Sequence, residues 1–196
     1  MKLIDKFLKL KKVKLVFVTG KKSEEISHLV FNLINPFYKV ALIDEILTGF
    51  QKISFLKSDV VVLSDDDFSL KELETLFSSM EETFLIVNSK NLTREKKLTG
   101  FLDEKGQLLV DHESLKKIPG KKVKQRLSYG TDSEADLSIS DLNISEKINF
   151  KINYKGSTVP VWIEGKEDKI ILNAAALGVG AMLGINFVDL TRSLSI

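Results

Sequence analysis

The sequence predicts an α/β protein: a largely parallel sheet flanked by helices, followed by an antiparallel β extension and a C-terminal helix. Three observations carry this reading. Short apolar runs alternate with helix-patterned segments from Val13 to Val87. Strand-like segments then follow one another with only turns between them. Finally, a run of small residues from Asn173 to Ala181 closes the pattern.

Val13–Thr19 is a short valine-rich run, as a strand buried on both faces of a parallel sheet should be. Ser23 to Ile34 reads as a helix with Ile26, Leu29, Val30 and Leu33 on one face, stopped by Asn35-Pro36. Phe37–Leu42 is the second expected strand, and Ile43–Phe50 is expected to be helical. Asp59–Leu63 (DVVVL) is the third strand. Ser69 and Glu72 then have capping-box spacing, which satisfies free amide hydrogens at a helix start. Leu73, Leu76, Phe77 and Met80 follow at helical spacing. Thr83–Val87 (TFLIV) is the fourth strand. Strand alternating with helix is the signature of a parallel sheet covered by helices.

After Asn88 the pattern changes. NLTREKKLTG reads as a polar helix, and FLDEKGQLLV as a hairpin turning at Glu104-Lys105-Gly106. KVKQRLSYG, ADLSISDLNIS, INFKINY and STVPVWIEG follow. The alternating patterns of the last three, separated by Gly or Asn turns, predict the antiparallel extension. In the last of them Trp162 alternates with Val161 and Ile163 and is expected in the partial core. Ile170–Leu183 is a small-residue helix able to lie close to a sheet, and Phe187–Leu194 is one more short helix. Leu3, Ile4, Phe7, Leu8 and Leu10 make an amphipathic N-terminal helix expected to pack on the domain.

Composition narrows the function. With 196 residues, the chain is expected to form a single domain with a real core. A formal net charge of +2 gives no global field toward nucleic acid. No apolar stretch approaches the ~20 residues of a membrane span, and a cytoplasmic location is expected. The absence of cysteine excludes a disulfide framework, a thiolate zinc site and a cysteine nucleophile. The two histidines, His28 and His112, are far apart, so no histidine-based metal site is expected. No Ser/His/Asp constellation emerges, and no catalytic residue is assigned.

Three stretches nevertheless resemble the central domain of the Mur ligases, ATP-dependent enzymes that add amino acids to the peptidoglycan precursor. Val18-Thr19-Gly20 looks like the strand end before that family's phosphate loop. LSYGTDSEADLSISDLNIS is similar to its Tyr-Gly, Ala-Asp, Ile pattern through Tyr129, Gly130, Ala135, Asp136 and Ile139. The last third resembles its hairpin and Asn-Ala-Ala helix through Phe150, Gly156, Asn173, Ala175, Ala176, Leu183, Gly184 and Ile185. The resemblance implies a P-loop-NTPase-like fold, a nucleotide at Thr19, Gly20, Lys21, Lys22, Ser23 and Asn173, and magnesium at Asp65.

The same resemblance exposes departures. A phosphate loop turns backbone amides toward the phosphates and places a lysine on the outer ones. Here the segment is Gly20-Lys21-Lys22-Ser23-Glu24-Glu25. A shortened alignment puts Gly20-Lys21 on the family's Gly-Lys pair and leaves no cradle. A full-length alignment puts Glu24 and Glu25 where Lys and Thr belong. Lys21 and Lys22 still suit an anion at a helix N-terminus. Asp65, Asp66 and Asp67 follow a strand end, a good position for Mg²⁺, with Asp65 the strongest candidate; Ser64 stands at the family's glutamate. The family's base-contacting histidine falls on Asp168 or Lys169. Both outer ligase domains are expected to be absent.

The leading expectation is therefore a degenerate Mur-ligase-like domain with a binding or scaffolding role and no cofactor. One alternative is the nucleotide-binding subunit of a split ligase, with ATP and Mg²⁺ as cofactors and a protein partner supplying the missing domains. The other is an unrelated α/β module for a small anion or a protein.

Overall fold

The computed structural model describes residues 13–43, 58–64, 68–89, 92–102, 104–118, 123–145 and 147–194. Its elements in chain order are β1 (Lys14–Gly20), α1 (Ser23–Ile34), β2 (Val40–Ile43), β3 (Val60–Ser64), α2 (Leu70–Ser79), β4 (Glu82–Asn88), α3 (Thr93–Phe101), β5 (Gln107–Asp111), α4 (His112–Leu115), β6 (Gln125–Gly130), β7 (Leu137–Ile144), β8 (Ile148–Tyr154), β9 (Ser157–Ile163), α5 (Lys169–Met182) and α6 (Phe187–Leu194).

All the described strands join one nine-stranded sheet, in the order β2-β3-β1-β4-β5-β6-β7-β8-β9. Pairing is parallel from β2 through β7. It is antiparallel from β7 to β9. The parallel part is wrapped on both faces because its strands alternate two apolar sets. Val16, Val18, Val60, Val62, Phe84 and Ile86 pack with residues of α1, α5 and α6 on one face. Leu15, Phe17, Val61, Leu63, Leu85 and Val87 pack with α2 and α3 on the other.

Small residues let α5 sit against the sheet. A Cβ on Gly178 would come within 2.8 Å of Leu109 Cδ2. The capping box of α2 forms as its spacing predicts: Ser69 Oγ accepts from Glu72 N, and the Glu72 carboxylate accepts from Ser69 N at 2.9 Å. The Ser69 hydroxyl also donates to that carboxylate at 2.6 Å, and this bond first, with the one from Ser69 N, lowers the Glu72 pKa from its ordinary value.

Four expectations are corrected. FLDEKGQLLV is not a hairpin: Phe101 ends α3, Glu104 and Lys105 turn, and β5 runs parallel to both β4 and β6. The apolar pair before the turn belongs to a helix end, with Leu102 buried, and a short apolar run alone does not distinguish helix from strand. The second strand begins at Val40, because Phe37 lies in the turn after α1 and is exposed. Ile43 ends that strand rather than opening a helix. Trp162 is 50% exposed. Period-2 alternation buries Val161 and Ile163 on the covered face and turns Trp162 outward. The expected N-terminal helix and the rest of the expected Ile43–Phe50 helix lie outside the described residues.

Candidate functional site

In a parallel α/β sheet, ligands bind beyond the C-terminal strand ends. Among the described residues, two groupings of polar side chains at that edge line or adjoin a cleft: the turn from β1 into α1, and the ends of β5 and β6.

The turn is short. Gly20 ends β1 with φ +101°, a conformation suited to glycine. A Cβ there would lie 2.4 Å from the Asn88 carbonyl oxygen, so the chain passes directly against the end of β4. Asn88 then holds the next residue from both sides. Its carbonyl accepts from Lys21 N at 2.6 Å, and its Nδ2 donates to Lys21 O at 2.8 Å. Lys22 is left-handed (φ 60°) and caps α1 without a side-chain hydrogen bond. Ser23, already helical, is buried, and so is Thr19 at the strand end.

The charge of Lys22 is engaged. Its Nζ donates to Asp168 Oδ2 and lies 3.5 Å from Glu25 Oε2. The hydrogen bond to Asp168 raises the Lys22 pKa, and the same bond lowers that of Asp168. Glu24 and Glu25 occupy the first turn of α1, where carboxylates complement the helix dipole. The positive end of this helix is thus matched internally by acids.

These residues do not fit a triphosphate. Only Lys21 and Lys22 separate β1 from α1. One of their two amides is bonded to Asn88, and the carboxylates nearby repel phosphate. The partner of Lys22 is Asp168, one of the two positions where the resemblance expects the family's histidine.

Of the other described candidates, Asn173 and Lys21 border different clefts. Asn173 is buried, and its Nδ2 donates to Lys169 O at 2.7 Å, one turn earlier on α5. It borders a cleft of about 440 Å³ with Trp162, Leu29 and Leu33. Lys21 instead borders a separate cleft of about 720 Å³, together with Asn88, Asp111, His112, Asp132 and Ile171. Ser64 is buried at the end of β3. Asp65, the candidate magnesium ligand, lies outside the described residues, with Asp66 and Asp67. His28 is an exposed residue of α1.

Sequence reasoning missed Asn88 and the grouping around His112. A polar residue closing an apolar strand was the available signal for Asn88. In the second cleft, His112 Nε2 lies 3.6 Å from Asp132 Oδ2. Beneath it, Tyr129 is fully buried and its hydroxyl donates to Val87 O at 3.3 Å. Burial, reinforced by the Asp111 charge, pushes that hydroxyl's pKa far up, so it stays a neutral donor.

No protein-family model matches the sequence, and no curated protein matches it. Solved structures do. MurF ligase from Thermotoga maritima, in complex with ADP, superposes with a TM-score of 0.70 at 18% identity, covering 97% of this chain and 50% of that one. The fold is Mur-ligase-like. A D-alanyl-D-alanyl-adding ligase from Acinetobacter baumannii gives 0.73 at 12% identity, covering 97% of this chain and 47% of that one. A UDP-N-acetylmuramate:L-alanyl-γ-D-glutamyl-meso-diaminopimelate ligase (MPL) from Neisseria meningitides gives 0.69 at 8% identity, covering 98% of this chain and 68% of that one. This chain therefore spans about half the length of the first two. The Mur-ligase-like fold includes the antiparallel strands β7–β9, which continue the main sheet as the resemblance predicts. No helix among the described residues is long and apolar enough to cross a membrane.

Proposed function

We propose that this chain is a catalytically degenerate, Mur-ligase-like domain of the cytoplasm, with a binding or scaffolding role near cell-wall synthesis. It works without ATP or Mg²⁺. The observation that carries this reading is the turn after β1. Asn88 clamps the Lys21 peptide from both sides, and Asp168 takes the Lys22 ammonium. A triphosphate would need free amides and a free lysine at that point. The test is a titration of the purified chain with ATP, with and without Mg²⁺. No binding at micromolar concentration is expected, and micromolar binding or ATP hydrolysis would overturn the reading.

A second reading rests on Lys21, which borders an open cleft at the sheet's C-terminal edge. In it, the chain is the nucleotide-binding subunit of a split ligase whose protein partner supplies further domains. Lys21, Lys22 and Asp65 then bind phosphate and magnesium. Ligation by a co-purified complex, lost in Lys21→Ala and Asp65→Ala, would favour it. Unchanged activity in both variants would remove it.

A further inference from the structure

The second cleft holds a mixed set of ligands from separate parts of the chain. His112 stands where β5 gives way to α4, while Asp132 and Glu134 stand in the turn between β6 and β7. One ligand atom from each lies within 4.8 Å of the others. Asp132 Oδ1 accepts from Glu134 N at 2.9 Å, which leaves its Oδ2 facing His112.

The imidazole supplies a second, independent observation. The His112 side chain is only 12% exposed. Its Nδ1 is buried with no hydrogen-bond partner, and Nε2 stands beyond hydrogen-bond reach of Asp132. The buried Nδ1 forfeits its polar interaction, and Nε2 is the nitrogen turned toward the Asp132 carboxylate. Nε2 faces the acceptor-only Asp132 carboxylate, and a cation between them would bond to both.

We propose that His112, Asp132 and Glu134 form a divalent-cation site with one nitrogen and two oxygen ligands. Carboxylate and imidazole donors at bonding distances of about 2.0–2.2 Å suit Zn²⁺ and similar first-row ions. Mg²⁺ favours oxygen ligands in a near-ideal octahedron and is the weaker fit. A modest inward movement of the exposed Asp132 and Glu134 closes the site, and water fills the remaining positions. The site uses other residues than the turn after β1, whose Lys21 and Asn88 border the same cleft, and it does not depend on the reading given under the proposed function.

The test uses the tag-free full chain, titrated with ZnCl₂ by calorimetry and, in parallel, followed by imidazole ¹⁵N NMR. The chain has two histidines, so His28 serves as an internal control. About one Zn²⁺ per chain is expected, held more tightly than Mg²⁺. The His112 ring signals should shift while those of His28 stay in place. His112→Ala and Asp132→Asn should each weaken Zn²⁺ binding by at least about tenfold. Asp132→Asn keeps the turn's acceptor oxygen, and matching circular dichroism melts for wild type and variant confirm that the fold is intact. Absence of Zn²⁺ binding, equal movement of both histidines, or full binding by Asp132→Asn with the fold intact would each overturn the site.

Discussion

Two polar places lie at the same edge of the sheet, and they differ in how their groups are paired. At the turn from β1 to α1 the charged and polar groups answer one another. Lys22 meets Asp168 and Glu25, and Asn88 meets the Lys21 peptide. In the cleft beside β5 and β6 the imidazole of His112 is left out of the hydrogen bonding. His112 has no hydrogen bond, and Asp132 and Glu134 face it across a gap. A satisfied site holds the fold together and offers little to a ligand. An unsatisfied one carries a desolvation cost that a ligand can relieve. In this chain, the position where the resemblance expects ligand chemistry is the self-sufficient one.

The comparison breaks most readily at Gly20. Gly20→Ala places a Cβ against the Asn88 carbonyl in a left-handed backbone conformation. It should cost about 2–4 kcal/mol in urea denaturation. A loss below the error of the measurement would mean that the turn is not pressed against β4.

Asn88→Ala removes the side-chain half of the clamp and should cost about 1 kcal/mol. It should still not confer ATP binding, because the Lys22–Asp168 pair and the short turn remain. A variant that gained micromolar ATP affinity would show that Asn88 alone closes the site.

Ser69→Ala sharpens the contrast between the two helix starts. α2 has a full capping box, whereas α1 has no side-chain cap. The substitution should cost about 1 kcal/mol in the same assay. A Lys22 change should owe its effect to the loss of charge pairing rather than of a cap.

The smallest effect is expected at Asp168→Asn. The pair is solvent-exposed, so the stability change should be slight and should fade with added salt. The pH dependence has two limbs. Asp168, with its pKa lowered in the fold, contributes stability above its unfolded value and loses it as pH falls through the folded value. Lys22, with its pKa raised, contributes below its unfolded value and loses it as pH rises through the folded one. Asp168→Asn should flatten both contributions in melts recorded from acid to alkaline pH. Retention of the wild-type slope at both ends would assign that dependence to other groups.

The sequence made most of the fold legible because its signals are local. The valines of β1 and β3, the face of α1 and the Ser69/Glu72 box each depend on residues within a few positions. The alternation of β8 and β9 is equally local, and in the structure it buries Val161 and Ile163 on the covered face. The same alternation turned Trp162 outward, against the expectation that a tryptophan in a strand helps fill the core. The hairpin reading at residues 101–110 failed because strand partners are not encoded in a short apolar run. β5 finds its neighbours in β4 and β6 rather than in the residues just before it.

By itself, then, the chain's pattern determined most of the segments that become strand or helix, and that the turn after β1 lacks a glycine-rich cradle. Only the tertiary structure decided which distant groups meet: Lys22 with Asp168, Lys21 with Asn88, and His112 with Asp132. The physical reason is that periodicity specifies a face and an element type, while pairing at a sheet's edge depends on strand order. That order is set by how the whole set of apolar faces is buried together.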